Sequence, residues 1–472
     1  MPLQPLPMTK GLVSVDRQEI GTPEAATYYR NLIRGQSGAM TDRPGLLDFA
    51  NIGSYAVLGL SYFKKSNTVV AVTNEGTDAR KLWSITQAGV VTDITGTVLA
   101  GSSRPVFAND GDFLAIAGGG APLTWAGTGT TTAMTGSPPS CTHIAYLDGY
   151  WMLHLLADQE IRWAGPTSAA RLTWSSGNFF SAERLPDDIV TQAVLQREFY
   201  AFGRESTEIF QNFGASVTAP FSPTFFLESG TLSPYSLIKA DNTLFWLDQN
   251  GDFVRMEGRT PVIISEDVAK DIKSFTKTDC FASHFKLGEG RHMIGWTFPT
   301  DERTFVYDYK NKEWSEWDTQ INGLPDRLNI NAHCYVPEWG THLVGDPAIG
   351  KVYTLSPTTK VDGSYPLRRI RRMTIDWGTN ARKRSNYYMF SVKRGVATST
   401  VTNPVFQVRV NDDNKGWSEP KLIPLGATGS DTGSIRVRMG GIYRKRELEV
   451  SITDAVEFNW NGTQEDVELM TS

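Results

Sequence analysis

Three cysteines in 472 residues, Cys141, Cys280 and Cys334, are too few and too scattered for a disulfide framework. They suit synthesis in a reducing compartment. No apolar run is long enough to span a bilayer. The N-terminus MPLQPLPM has no charged stretch followed by an apolar core, so it does not read as a signal peptide. A basic excess is also missing: the net charge is −5, which argues against a dedicated nucleic-acid binder. Catalytic signatures are scarce too. G-x-S-x-G, H-E-x-x-H and P-loop patterns do not occur. The six histidines, His143, His154, His284, His292, His333 and His342, show no zinc spacing. His333 and Cys334, adjacent on a strand, point to opposite faces. Gly118-Gly119-Gly120 reads as a hairpin turn and is not followed by a helix that would hold a phosphate.

What is present is β-structure. Forty-three glycines, 24 prolines and short alternating runs rich in Thr, Val and aromatics predict an all-β chain. Helical periodicity is confined to two short stretches, 23–34 and 265–275, the second with Ser265 as its expected N-cap. A hairpin recurs: an apolar strand, a turn of Gly, Asp or Asn, and a second strand ending in an aromatic. Examples are VVAVTNEGTDARKLWSIT, FLAIAGGGAPLTWAG, YWMLHLLADQEIRWAG and LFWLDQNGDFVRMEG. Copies start at 69, 113, 150, 198, 244, 292 and 341, roughly one every forty to fifty residues as in propeller blades. A lone hairpin cannot bury both faces, and radial closure removes exposed sheet edges. The repeat therefore predicts a β-propeller of six or seven blades over 61–357, six if the last hairpin completes the first blade. Residues 1–60 carry no copy and are expected to form an arm or platform.

Residues 356–366, rich in Pro, Thr, Gly and Ser, read as a linker. Beyond them, alternating strands near 373–377, 387–392, 405–410, 434–439 and 447–452 predict a small β-sandwich over 358–472. The charge changes at the same place. From Thr358 onward there are 18 Lys and Arg against 13 Asp and Glu, a net of +5, and the preceding residues carry −10. Opposite signs in one chain suit head-to-tail packing or partner docking.

Two sets of charges are candidates for function. Asp187-Asp188, Asp301-Glu302 and Asp412-Asp413 are the nearest approach to the paired carboxyls of a glycosidase. They are neighbours in sequence within apparent loops, whereas glycoside hydrolysis needs carboxyls about 5–10 Å apart across a cleft. The basic clusters are sharper: Arg368, Arg369, Arg371 and Arg372; Arg382, Lys383 and Arg384; Arg436 and Arg438 along one strand; and Arg444, Lys445 and Arg446 after it. They read either as a solvated face or as a surface for an acidic protein or a DNA backbone, without base recognition. No cofactor or metal is expected.

Four stretches resemble the packaged-DNA stabilisation proteins, the tail hub or nozzle subunits of short-tailed bacteriophages (podoviruses). They are the N-terminal MPLQPLPM with Lys10-Gly11; NLIRGQSGAMTDRPGLL at 31–47, with its Asp42-Arg43-Pro44-Gly45-Leu46 turn; LPDDIVTQAVLQREFYAFGRESTEIFQNFG at 185–214; and NDDNKGWSEP with RVRMGGIYRKRELEVSITD at 411–420 and 436–454. Asn414-Lys415 stands where that family has a glycine pair, and Ala455 where it has proline. The resemblance implies a non-enzymatic virion protein made in the host cytoplasm, a homo-hexameric ring below the portal and adaptor rings. Its channel would carry packaged double-stranded DNA, with tail fibres or tailspikes outside and a distal plug or needle. Other expectations to set beside it are a capsule-depolymerising propeller and a receptor-binding propeller.

Overall fold

A computed structural model of the chain describes residues 3–6, 28–35, 38–75, 80–167, 170–214, 219–288, 290–375, 377, 379–429 and 433–470. The N-terminal MPLQPLPM and Lys10-Gly11 stretch lies mostly outside them. Among the described residues the hairpin repeat becomes seven four-stranded antiparallel units. Six are continuous in sequence, spanning 57–93, 106–133, 144–181, 191–227, 238–263 and 281–316. The seventh takes three strands from 332–356 and its fourth, Gly45–Asn51, from before the first blade. Thus the final hairpin does not complete the first blade; an N-terminal strand completes the last one. The ring closes where Val57–Phe63 packs against both Val106–Asn109 and Ala332–Val336.

The reason these strands read as unbroken apolar runs is that blades stack face to face. Leu114–Ala117, Tyr150–His154 and Thr243–Leu247 are buried at every position, because each lies between two neighbouring blades. Seven apolar clusters result, one for each blade interface, such as Leu82 with Ile116 between the first two blades and Trp246 with Phe202 between the fourth and fifth.

The C-terminal residues form two facing sheets. One continues the sixth blade: beyond its outer strand Glu313–Glu316 lie Tyr28–Arg30, Arg369–Ile375, Arg446–Ile452, Val405–Asp412 and Lys421–Pro424. The other orders Leu32–Arg34, Met40–Asp42, Asn459–Leu469, Lys383–Val392 and Ser434–Val437, with Gly441–Tyr443 also paired to Lys383–Val392. Met373, Phe406, Leu448 and Val450 of the first face Tyr388, Phe390, Val437 and Trp460 of the second in one core. That core is continuous with the fifth–sixth blade interface.

Three local expectations are corrected. Residues 28–30 and 32–34 are strands, not helix, because each pairs into a sheet; residues 23–27 of that stretch lie outside the described residues. The helix near 270 is only Ala269–Lys273, capped at Val268. Ser265 instead donates to Asp252 Oδ1 and accepts from the Phe253 amide. Residues 356–366 are no free linker: Val361–Asp362 pairs with Tyr365–Pro366, and Asp362 pairs in parallel with Leu46.

Candidate functional site

The twelve clustered basic residues of the C-terminal region separate into a buried and an exposed set. Arg369, Arg371 and Arg446 have no accessible surface and Lys383 about 1%. A guanidinium taken out of water must be paired or hydrogen-bonded. Arg369 meets Asp42 at 3.1 Å and donates to the Val456, Asp454 and Ile452 carbonyls. Burial pulls its pKa down, and Asp42 works against that pull. Arg371 lies over the Tyr29 ring at 5.0 Å, its pKa likewise lowered by burial. Arg446 grips Asp412 with two hydrogen bonds of 2.5 and 2.7 Å and donates to Tyr388 Oη, with Glu465 3.7 Å away. Burial opposes that charge, yet Asp412 and Tyr388 outweigh it and raise the pKa above the ordinary value. Lys383 Nζ donates to the Thr379 and Arg444 carbonyls. Half-buried Arg372 makes two hydrogen bonds to Glu449, 2.7 and 3.1 Å long. These side chains hold the sandwich together, so Arg369 and Arg371 are part of neither a solvated face nor a docking surface. Arg368 is half-buried, and its carbonyl accepts from Asn31 Nδ2.

The exposed set is Arg382, Arg384, Arg436, Arg438, Arg444 and Lys445. Arg384, Arg436 and Arg438 come together along a shallow groove with Asn386, Tyr387 and Ile442. Pairing explains the convergence: Lys383–Val392 lies beside Ser434–Val437 with Met389 opposite Arg436, and beside Gly441–Tyr443 with Arg384 opposite Ile442. The Arg436 guanidinium sits 3.7 Å above the Tyr387 ring, which fixes it without neutralising it. Ile442 is half exposed, an apolar floor among the cations. Glu468 is opposite Arg384 on the other neighbouring strand and tempers the charge at one end. None of Arg384, Arg436 and Arg438 makes an ion pair among the described residues. Arg444 and Lys445 sit on the adjoining turn, where both amides donate to Asp413 Oδ1. In the turn that follows Val405–Asp412, Asp413 and Asn414 take positive φ, which Asp and Asn tolerate, so a glycine pair is not required there.

The sequence reading missed a buried seam between propeller and sandwich. Arg43, fully buried, makes two hydrogen bonds to Asp362 at 3.0 and 2.5 Å, and its Nε donates to Asn31 Oδ1 at 2.8 Å. Asp362 also accepts from Thr319 at 2.9 Å. Asn31 reaches Asp318, which pairs with Arg30 at 2.8 Å, and Arg30 pairs with Glu316 at 3.1 Å. Asp42 accepts from Lys360, Arg369 and the Phe458 amide. Gly45 follows Pro44 because a Cβ there would lie 2.4 Å from the Val361 carbonyl oxygen. The Asp42-Arg43-Pro44-Gly45 turn was the available signal, and its chemistry needed partners roughly 300 residues away.

The carboxylate pairs serve turns. Asp187 accepts from the Arg204, Glu205 and Ser206 amides, Asp301 from the Thr276 amide, and Asp412 and Asp413 hold the groups already named. His333 Nε2 and His342 Nδ1 are 2.9 Å apart, and among the described residues no cluster of His, Cys, Asp and Glu has the geometry of a metal site. The three cysteines are buried free thiols.

A family model described as "Bacteriophage P22 Gp10, beta-propeller" matches residues 7–360, the propeller with the strands that close it. Among solved structures, the chain is similar to the WD40 β-propeller domain of Doa1: 12% identity, TM-score 0.40, 66% of this chain and 96% of that one. It is also similar to the C-terminal WD40 domain of Sif2: 10% identity, TM-score 0.42, 66% and 99%. No curated protein matches it.

Proposed function

We infer from one premise, that the chain belongs to the family of bacteriophage P22 Gp10 β-propellers, that it is a structural tail subunit of a short-tailed phage. The match over most of the chain carries this reading. In it, the protein is a tail hub: a homo-hexameric ring below the portal and adaptor rings, retaining packaged DNA and conducting it during ejection. Tail fibres or tailspikes attach outside, and a plug or needle closes the distal end. It has no catalytic role. It is made in the host cytoplasm and carried in the virion.

Two features support a subunit built for rigid assembly. The buried seam ties propeller to sandwich, so both move as one block under load. The exposed groove of Arg384, Arg436 and Arg438 offers positive charge on a chain whose first 357 residues carry −10, which suits head-to-tail contact in a ring. The DNA contact of this hub would be to phosphates alone.

Negative-stain imaging and mass measurement of the purified chain test the proposal. Rings of six copies are the expected result. A stable monomer that depolymerises capsular polysaccharide would overturn it.

A further inference from the structure

The first strands of six blades, with His143 just ahead of the third blade's, line an open cavity of about 320 Å³ at the propeller axis. Leu58 and Gly59 come from the first blade, Phe107 from the second, Gln192 and Val194 from the fourth, and Phe281 and Ser283 from the sixth. Among the described residues, two cations, Arg104 and Lys239, line the cavity, and no aspartate or glutamate does. Neither cation makes an ion pair among the described residues. This occurs in the part of the chain where acids outnumber bases.

Arg104 is held in place without being neutralised. Its terminal nitrogens donate to the Asn331 carbonyl and to Asn331 Oδ1 at 3.0 Å. Its guanidinium lies 3.8 Å above the Phe281 ring. Guanidinium has five donors, so two hydrogen bonds leave others to spend. Burial first, then the nearby Arg327 charge, lower its pKa to about 10. His143, also on the cavity wall, stacks between Tyr235 and His154 at 5.3 and 5.5 Å. Its Nε2 donates to the Pro234 carbonyl at 3.0 Å, while burial keeps the ring neutral with a pKa of about 3. The wall therefore mixes aromatic faces, Phe107 and Phe281, with the polar side chains of Gln192, Ser283 and Asn331, the charge is of one sign, and the volume is that of a small-ligand pocket.

We propose that the axial cavity of the propeller binds a small organic anion, a carboxylate or phosphate carried on a compact apolar body, with Arg104 and Lys239 as its charged contacts. The anion would supply the counter-charge that the fold withholds from Arg104, and Phe107, Pro105 and Phe281 would cover its apolar part. The inference stands on the propeller alone and does not depend on the ring proposed above.

Calorimetric titration of the full chain with benzoate, phenyl phosphate and the neutral benzamide tests it. At least one anion is expected to bind, with benzamide about tenfold weaker or more, the scale of a charge-assisted hydrogen bond. Whichever anion binds more tightly names the head group. Arg104→Gln should weaken binding by about tenfold or more, and Lys239→Gln, at an exposed position that cannot unsettle the core, by several-fold. Arg384→Gln, outside the cavity, should leave it unchanged. If Arg104→Gln does not fold, Lys239→Gln and the benzamide comparison decide. No heat from either anion at millimolar concentration, equal binding of benzamide, or undiminished binding in Lys239→Gln would overturn the proposal.

Discussion

The propeller and the sandwich solve the same packing problem with different chemistry. Each blade interface is an apolar cluster, Leu82 against Ile116 or Phe202 against Trp246, and the ring repeats that solution seven times. The sandwich and its seam to the propeller enclose cations. Arg43, Arg369, Arg371 and Arg446 are the arginines among the largest fully buried side chains, and none lies in a blade strand. Apolar contacts are non-directional and tolerate adjustment. A buried guanidinium with two hydrogen bonds to a carboxylate fixes orientation and punishes loss of either partner. The difference teaches that blades need only stack, while the junction must hold one angle.

The largest effect should come from breaking the seam. Arg43→Met leaves Asp362 buried without its counter-charge and should cost about 3–5 kcal/mol in denaturant unfolding. Asp362→Leu should cost a similar amount alone, and the double variant should recover much of the loss. Additive losses in that cycle would show that the pair is not coupled. Smaller, by the same assay, is Gly45→Ala, whose methyl group meets the Val361 and Thr359 carbonyls; overpacking of that kind costs about 1–3 kcal/mol. In a blade, Ile116→Val should cost about 0.5–1.5 kcal/mol, and a loss as large as that at Arg43 would erase the contrast between the two regions.

Acid should separate the regions as well. All six histidines belong to the propeller. Burial holds His143 at about 3 and His154 and His284 at about 4, below the unfolded value of about 6.5. The unfolded chain therefore takes up more protons in this window. Stability is intact above about pH 6.5 and lost progressively as pH falls toward 4. At pH 5, hydrogen-exchange protection relative to the intrinsic rate should fall in the blades before it does in the sandwich. A uniform fall would contradict this. The smallest expected effect is on folding in Arg384→Gln, Arg436→Gln and Arg438→Gln, each within about 0.5 kcal/mol of the parent because these side chains face solvent.

Much of the propeller was legible in the sequence because its signal is local. A hairpin carries its own turn, and burial on both faces writes runs such as FLAIA and LFWL into adjacent positions. The closing strand Gly45–Asn51 was not legible, since its partner, Lys351–Ser356, lies about 300 residues away and its burial pattern is mixed. Asn459–Leu469 was missed for a related reason. Its NWNGTQEDVEL reads as polar loop, yet Trp460, Thr463, Glu465 and Val467 alternate inward. The basic clusters could be found but not sorted. Arg369 and Arg372 are three residues apart, yet one is sealed against Asp42 and the other half-buried on Glu449. Only the register of the two sheets separates the arginines that fold the protein from those that face outward.

That separation is tested most directly by the charge-reversed variant R384E/R436E/R438E, examined by thermal melting and by negative-stain imaging of the purified chain. The account predicts a melting temperature matching the parent's and loss of ring assembly. Rings that form normally, or a variant that no longer folds, would contradict it.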